Sequence, residues 1–412
     1  MRVAIFGESY LPYLSGVTVA TEALAHGLAE AGHDVLLVAP APAKGMQPGS
    51  AGVGNDGTGV GPTFDVAWLP SFQAPPPAPP GYRIPWPVPS ASLRTAVAFR
   101  PQVIHAQSPF TSGLMARRVA RRTGAALVFT HHTRFGDYGH YLGPLGSALR
   151  GVLDGYLRSY WRGCRAVVAP SNDLAAEISA SLGGGGVGRR GPTVRAIPTG
   201  IDVAAIARLE PTDPRPSAGW PADALVVASL GRLALEKSVD VLMDAFAVAA
   251  GQDARLRLLI LGEGPARPAV ERRASAPDLA GLVRITGLLP RSTALATLAA
   301  ADLFAFASRT ETQGLVLAEA LASGLPIVAV EGPGVRDSVR DGIDGLVVAA
   351  EPANDRAARL GDAISELAGD PTRRAAFAAA ARDGAGRFDA AIRIGEMVAL
   401  YRDLIGPERP SG

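Results

Sequence analysis

Short apolar segments that end in small or polar residues alternate with amphipathic ones along this chain, and the pattern runs twice. In the first series the strand-like segments are "RVAIFGES", "DVLLVAP", "VIHAQSP", "ALVFTHH", "AVVAPS" and "VRAIPTG". Helix-like stretches such as "TVATEALAHGLAEAG" and "GLMARRVARRTG" separate them. Alternation of this kind requires crossover connections and gives a mostly parallel, doubly wound sheet. A second series, "ALVVASLGR", "RLRLLILGEGP", "VRITG", "LFAFASRTE", "PIVAV" and "GLVV", starts near residue 224. The expected fold class is therefore α/β, with two doubly wound parallel-sheet domains facing each other across a cleft. The expected limits are 1–203 and 204–388, with a final helix in 389–412 that packs back toward the first domain. The proline- and charge-rich segment between "IPTGID" and "PADALVV" reads as the linker. Residues 41–62, rich in glycine, and 70–90, dense in proline, read as loops.

A length of 412 residues exceeds what one ordinary core organises, which agrees with two domains. Apolar residues at 48% and charged residues at 19% suit a compact α/β protein. A net charge of +2 gives no argument for a nucleic-acid partner. The single cysteine, Cys164, excludes an internal disulfide framework and fits a reducing, cytoplasmic compartment. The N-terminus runs straight into a strand pattern with too short an apolar run for a signal peptide, and no run approaches a membrane span. Membrane contact is expected to be peripheral only. Lys44 and Lys237 are the only lysines. Lys44 falls in a Gly/Pro/Ser-rich loop and reads as incidental, whereas Lys237 follows a strand.

Open α/β sheets bind ligands beyond the carboxyl ends of their strands. In the second series those positions hold Gly231 and Arg232, then Lys237, "LGEGP", Gly287, and the segment "SRTETQGLVLAEALASG" with Glu311 and Glu319. Gly314 opens a short helix, and Gly324 sits where a C-terminal cap glycine belongs. The helix N-terminus offers free N–H groups and a positive dipole end to a phosphate, and Arg232 and Lys237 add two full charges. A diphosphate held in this way needs no metal, and the sequence has no Asp-x-Asp. Carboxylates suit sugar hydroxyls, so Glu311 and Glu319 are expected to grip the sugar ends of a nucleotide sugar. Glu319 has Leu315, Val316, Ala322 and Ser323 as helical neighbours. It therefore either sits at an edge in water or faces a polar ligand. Taken singly, Arg232 and Glu311 fit solvated loop residues as well. "LGEGPAR" has Arg267 where a dinucleotide fingerprint needs its third glycine, which disfavours a nicotinamide cofactor.

All six histidines precede residue 141. His26 and His33 read as structural or exposed, and His105 at a strand end fits a core edge as well as a site. The stretch "FTHHTRFGDYGHYLG" brings His131, His132, Arg134, Asp137 and His140 after one strand. Irregular spacing and the lack of cysteine disfavour a metal there, and sugar contacts are the better reading. Gly16 precedes a helix and can let a backbone N–H reach a phosphate. Arg117, Arg118, Arg121 and Arg122 share much of one helical face, with Arg158 and Trp161 in a second basic stretch. This surface suits an anionic membrane or, equally, a solvated arginine face.

"GRLALEKSVDVLMDAF", "LLILGEGP", "ITGLLP" and "SRTETQGLVLAEALASGLPIVA" resemble the donor-binding half of glycosyltransferase family 4. The likeness continues through "PYLSGV", "VIHAQSPF", "FTHHTRFGDYGHYL", "VVAPSNDLAAEI" and "IPTGID", nearly the whole chain. It implies the GT-B fold of two Rossmann-like domains and retaining hexosyl transfer from a nucleotide-diphosphate sugar, with no cofactor and no metal. By resemblance Arg232 and Lys237 hold the diphosphate and Glu319 the ribose. Glu311, Thr312, Gln313, Gly314, Leu315 and Val316 position the transferred sugar and its phosphate. His132 matches the histidine beside the anomeric centre, and Gly231, Gly287 and Gly16 line the donor. Arg134, Asp137 and His140 are the acceptor candidates. Ser15 stands where the family usually has a first glycine, and Ser238 where it has a glycine after "EK". "HHTRFGDYGHY" and "PGYRIPWP" look most like glycolipid-forming members that glucosylate diacylglycerol, which favours UDP-glucose and a lipid acceptor. GDP-mannose with a lipid or polysaccharide acceptor is the alternative. A sugar-nucleotide 2-epimerase and a noncatalytic sugar-nucleotide binder are the readings from other classes.

Overall fold

The computed structural model describes residues 1–13, 15–43, 64–75, 78, 81–134, 146–183 and 191–406, with side chains at 146–149 left aside. Most of the Gly-rich stretch 41–62, together with Asp137 and His140, therefore lies outside the described residues. The chain forms two compact units. The first comprises Met1–Gly200 and Ala390–Gly412, and the second Ile201–Asp389.

The first unit is built on β1 (Arg2–Phe6), β2 (Asp34–Pro40), β3 (Asp65–Leu69), β4 (Ser71–Gln73), β5 (Arg83–Pro85), β6 (Val103–Ala106), β7 (Ala126–Thr130), β8 (Ala166–Ala169) and β9 (Thr193–Ala196). Seven of these form one parallel sheet in the order β3-β2-β1-β6-β7-β8-β9. Period-2 alternation assigns its side chains to two cores. Ala4, Phe6, Ile104, Leu127 and Phe129 face one core with the helices Thr111–Thr123 and Asn172–Ser181. Val3, Ile5, Val103 and Val128 face the other, with the helices Gly16–Glu30 and Ala390–Ile405. The final helix thus belongs to the first unit. It is anchored by Tyr401, whose hydroxyl lies 2.6 Å from His105 Nδ1.

One strand lies outside the six segments read for this series, and one strand pair departs from the loop reading. β3 pairs in parallel with β2 beside the Gly-rich stretch. Within the proline-dense segment, β4 and β5 form a short antiparallel pair. Proline is tolerated there because the pair stands alone, and Arg83 fastens it, donating from Nε to Ser71 Oγ at 2.9 Å and from its terminal nitrogen to Ser71 O at 2.6 Å.

The second unit contains β10 (Leu225–Leu230), β11 (Leu256–Leu261), β12 (Val283–Ile285), β13 (Leu303–Phe306), β14 (Ile327–Val330) and β15 (Gly345–Val348). These form one parallel sheet in the order β12-β11-β10-β13-β14-β15, again with a buried core on each face. The segment read as a linker is instead packed into this unit. Ile206 and Trp220 are buried. Arg215 bridges Asp213 and Asp302 and donates to the Ala224 carbonyl at 2.9 Å. Its charges and prolines serve short helices and caps, which composition does not distinguish from a linker.

Candidate active site

In the second unit, sheet order decides which distant residues meet. β10 and β13 are neighbours, so the loops after them lie side by side. The loop after β10 carries Arg232 into a one-turn helix, Leu235–Lys237, and the loop after β13 carries Ser308–Glu311. Lys237 and Glu311 form a half-buried ion pair. Ser308 Oγ donates to the same Glu311 oxygen at 3.2 Å, and Thr310 Oγ1 donates to the Glu236 carbonyl at 3.0 Å, which stitches the two loops together. Arg232 pairs with Glu236, a buried carboxylate one helical turn along the chain.

The glycines pack one on another. Gly231 ends β10, and a Cβ at Gly262 would sit 1.9 Å from the Gly231 carbonyl oxygen, so only glycine fits where β11 ends. Gly262 in turn bridges Gly287 after β12. Gly314, with φ at 73°, precedes the helix Leu315–Ala322, and no side chain caps that end. Gln313 is buried, and its carbonyl accepts from Ser338 Oγ at 3.2 Å. Thr312, Leu315 and Val316 are half-buried around the helix start.

Burial removes one of the two alternatives drawn for Glu319. It is 2% exposed, so it is not at a water edge, and it already pairs with a charged protein group, Arg291. Burial pushes its carboxyl up, against the opposing pull of Arg291. Arg291 opens the helix Arg291–Leu298 and is remote in sequence, so helical neighbours alone do not reveal the pair.

In the first unit, Gln107 follows β6 and His132 follows the adjacent β7. His132 Nε2 lies 2.6 Å from Gln107 Oε1. The protein atoms crowded round the half-buried His132 ring lower its pKa to about 4, so the imidazole is neutral near pH 7. Both residues line a cavity of about 40 Å³ with Thr130, Ile197 and Pro198. Gln107 Nε2 is buried without a hydrogen-bond partner among the described residues. Gly16 is the first residue of its helix, and a Cβ there would meet nothing within 4 Å. Ser15, in place of the usual glycine, caps that helix by accepting from the Thr18 N–H at 3.2 Å. Arg134 is paired with Glu177 at 2.6 Å.

His105 and His131 are held in the core of the first unit. His105 is fully buried with both ring nitrogens in hydrogen-bonding contact, to Tyr401 and to Thr130 Oγ1, and burial lowers it to about 3. His131 packs edge-on against Phe129 and Trp161, and is also lowered to about 3 by burial. Trp161 is therefore core rather than part of a basic surface. Arg118, Arg121 and Arg122 are exposed, while Arg117 is half-buried.

Four partners escaped the sequence reading: Gln107, Glu236, Arg291 and Ser308. Glu236 was within reach, because its four-residue spacing from Arg232 is visible in "RLALE". Gln107 was too, since it follows the same strand that singled out His105.

A family model described as Glycosyltransferase Family 4 matches residues 14–205, and one described as Glycosyl transferases group 1 matches residues 212–384. The chain is 28% identical to the alpha-monoglucosyldiacylglycerol synthase of Acholeplasma laidlawii over 84% of each chain. It is 30% identical to the GDP-mannose-dependent alpha-mannosyltransferase of Mycobacterium tuberculosis, over 93% of this chain and 91% of that one. Among solved structures, HepE of Anabaena in complex with UDP superposes with a TM-score of 0.72 at 17% identity, covering 98% of this chain and 99% of that one. With two parallel-sheet Rossmann-like units of the GT-B fold, the chain belongs to glycosyltransferase family 4 and is a glycosyltransferase.

Proposed function

We propose that the protein transfers a hexosyl group, with retention, from a nucleotide-diphosphate sugar to a lipid acceptor, with UDP-glucose and diacylglycerol as the favoured pair. The observation that carries this reading is the meeting of Lys237 with Glu311 and of Arg232 with Glu236 at the carboxyl ends of adjacent strands. Each cation is held by a carboxylate, ready to exchange that partner for a diphosphate oxygen. The freed Glu311 then accepts from sugar hydroxyls. Two such cations supply the countercharge a divalent metal would otherwise bring, so the transfer is metal-independent in this reading.

The A. laidlawii relative's name supports glucose and diacylglycerol. The M. tuberculosis relative, more identical and over more of the chain, supports GDP-mannose as the second reading. Both names specify alpha products, and both sugar nucleotides carry alpha linkages, so transfer of either kind is retention. In the mechanism that follows, the acceptor oxygen attacks from the side the diphosphate leaves. Arg232 and Lys237 stabilise the departing charge, and a phosphate oxygen takes the acceptor's proton. His132, neutral at working pH, donates a hydrogen bond rather than a proton.

Peripheral membrane contact belongs to the same proposal. Leu114, 48% exposed, shares a helical stripe with Arg118, Arg121 and Arg122, and Phe110 stacks on Tyr156 beside it. No helix among the described residues is long and apolar enough to cross a membrane. The deciding experiment offers UDP- and GDP-sugars with diacylglycerol and with membrane extract. Products are read by mass spectrometry and the anomeric coupling by NMR. A rearranged sugar nucleotide, or no glycoside from any donor, refutes the proposal.

A further inference from the structure

The amino ends of the central strands of the first sheet, opposite the ends that carry Gln107 and His132, hold a second charged feature. Arg2 begins β1, Arg100 and Gln102 precede β6, Arg122 ends the helix before β7, and Arg165 precedes β8. Together they surround a depression of about 750 Å³ in the first unit. No carboxylate is among its lining residues, and no ion pair joins any of these four arginines to an acid among the described residues. Asp34, paired with Arg2 in the strand register, does not line it. By contrast Arg215, Arg255, Arg267 and Arg273 of the second unit each meet an aspartate or glutamate.

The arrangement is held in place. Arg100 adopts a left-handed backbone, φ 50°, that few non-glycine residues take, and its carbonyl accepts from Arg2 Nε at 2.9 Å. The Arg2 N–H donates to Gln102 Oε1 at 3.0 Å, and Arg165 reaches the Leu404 carbonyl at 3.5 Å. Four arginines line one depression with no acid among its lining residues, a charge arrangement that an anion would relieve. Their planar forks match phosphate oxygens. The volume exceeds one phosphate.

We propose that this depression binds an anion bearing more than one phosphate charge, or the phosphate headgroup of an anionic lipid, with none of the sugar-nucleotide residues among its lining. The proposal does not depend on the donor or acceptor reading.

The test uses the full chain carrying Arg232→Ala and Lys237→Ala, so that the sugar-nucleotide residues do not contribute. Inorganic tripolyphosphate is titrated calorimetrically at low salt. Adding Arg100→Gln with Arg165→Gln is expected to weaken binding about tenfold or more. Arg122→Gln alone, at a side chain with no hydrogen bond among the described residues, shifts affinity the same way. Arg272→Gln with Arg284→Gln removes two exposed charges elsewhere and leaves it unchanged. A parallel arm measures co-sedimentation with phosphatidylcholine vesicles with and without phosphatidic acid. Weakening with tripolyphosphate assigns a soluble phosphate ligand, and weakening confined to phosphatidic-acid vesicles assigns a lipid headgroup. If the arginine variants match the control pair in both arms, the proposal is overturned.

Discussion

Lys237 and Glu311, 74 positions apart, share an ion pair across the loops that follow adjacent parallel strands. The pair exists because β10 and β13 lie side by side.

Removing the cation is the most direct test. Lys237→Ala is expected to lower turnover roughly a hundredfold or more, in line with about 2.7–4 kcal/mol for one preorganised donor to a developing charge. Steady-state rates with UDP-glucose and GDP-mannose measure it. Near-normal turnover would mean that Lys237 does not face the leaving group.

Arg291 and Glu319 invite a double-mutant cycle. Arg291→Ala leaves a buried carboxylate unpaired, a loss of about 2–3 kcal/mol, less than for a fully buried pair because Arg291 reaches solvent. The carboxyl pKa then rises further, and the KM for the sugar nucleotide rises more than kcat falls. Combining Arg291→Ala with Glu319→Gln should recover much of the stability, read from urea midpoints. Additive losses would show that the two residues are not coupled.

Gly16 and Gly262 should behave oppositely. Gly16→Ala meets open space and starts a helix, so the melting temperature stays level or rises while donor turnover falls. Gly262→Ala drives a Cβ into the Gly231 carbonyl and destabilises the second unit. Thermal melts alongside activity separate the two. Full activity in Gly16→Ala would remove that backbone from the donor site.

Acid should weaken the fold. His105, lowered to about 3, stays neutral when folded but charges below about pH 6.5 when unfolded. The unfolded chain therefore binds more protons, and stability falls as pH drops from about 6.5 toward 3. His131 and His132 act in the same sense. Glu22, raised to about 7 by burial, acts oppositely between about pH 7 and 4.5 and softens the slope there. Urea midpoints at pH 7 and pH 5 should differ less in His105→Gln than in the parent chain. An equal difference in both would show that His105 is not the titrating group.

Much of this molecule was legible in its sequence. Every strand of the second unit reads directly from its apolar run, and the carboxyl ends of those runs carry Gly231, Arg232, Gly287 and the Glu311 segment. β3 and the β4–β5 pair were hidden, because edge strands amid glycine and proline lack a continuous apolar signal. Local chemistry also marked Gly314 as a helix start.

Partnership was different. Glu319 looked isolated because its helical neighbours carry no charge, yet Arg291 arrives from another element. His105 and His132 looked alike at two strand ends, but Tyr401 locks the first into the core while the second meets Gln107 beside a small cavity. Strand and helix follow from periodicity along the chain, which the sequence carries in full. Which charge meets which depends on strand order and on contacts over long separations, and those exist only once the sheets have formed.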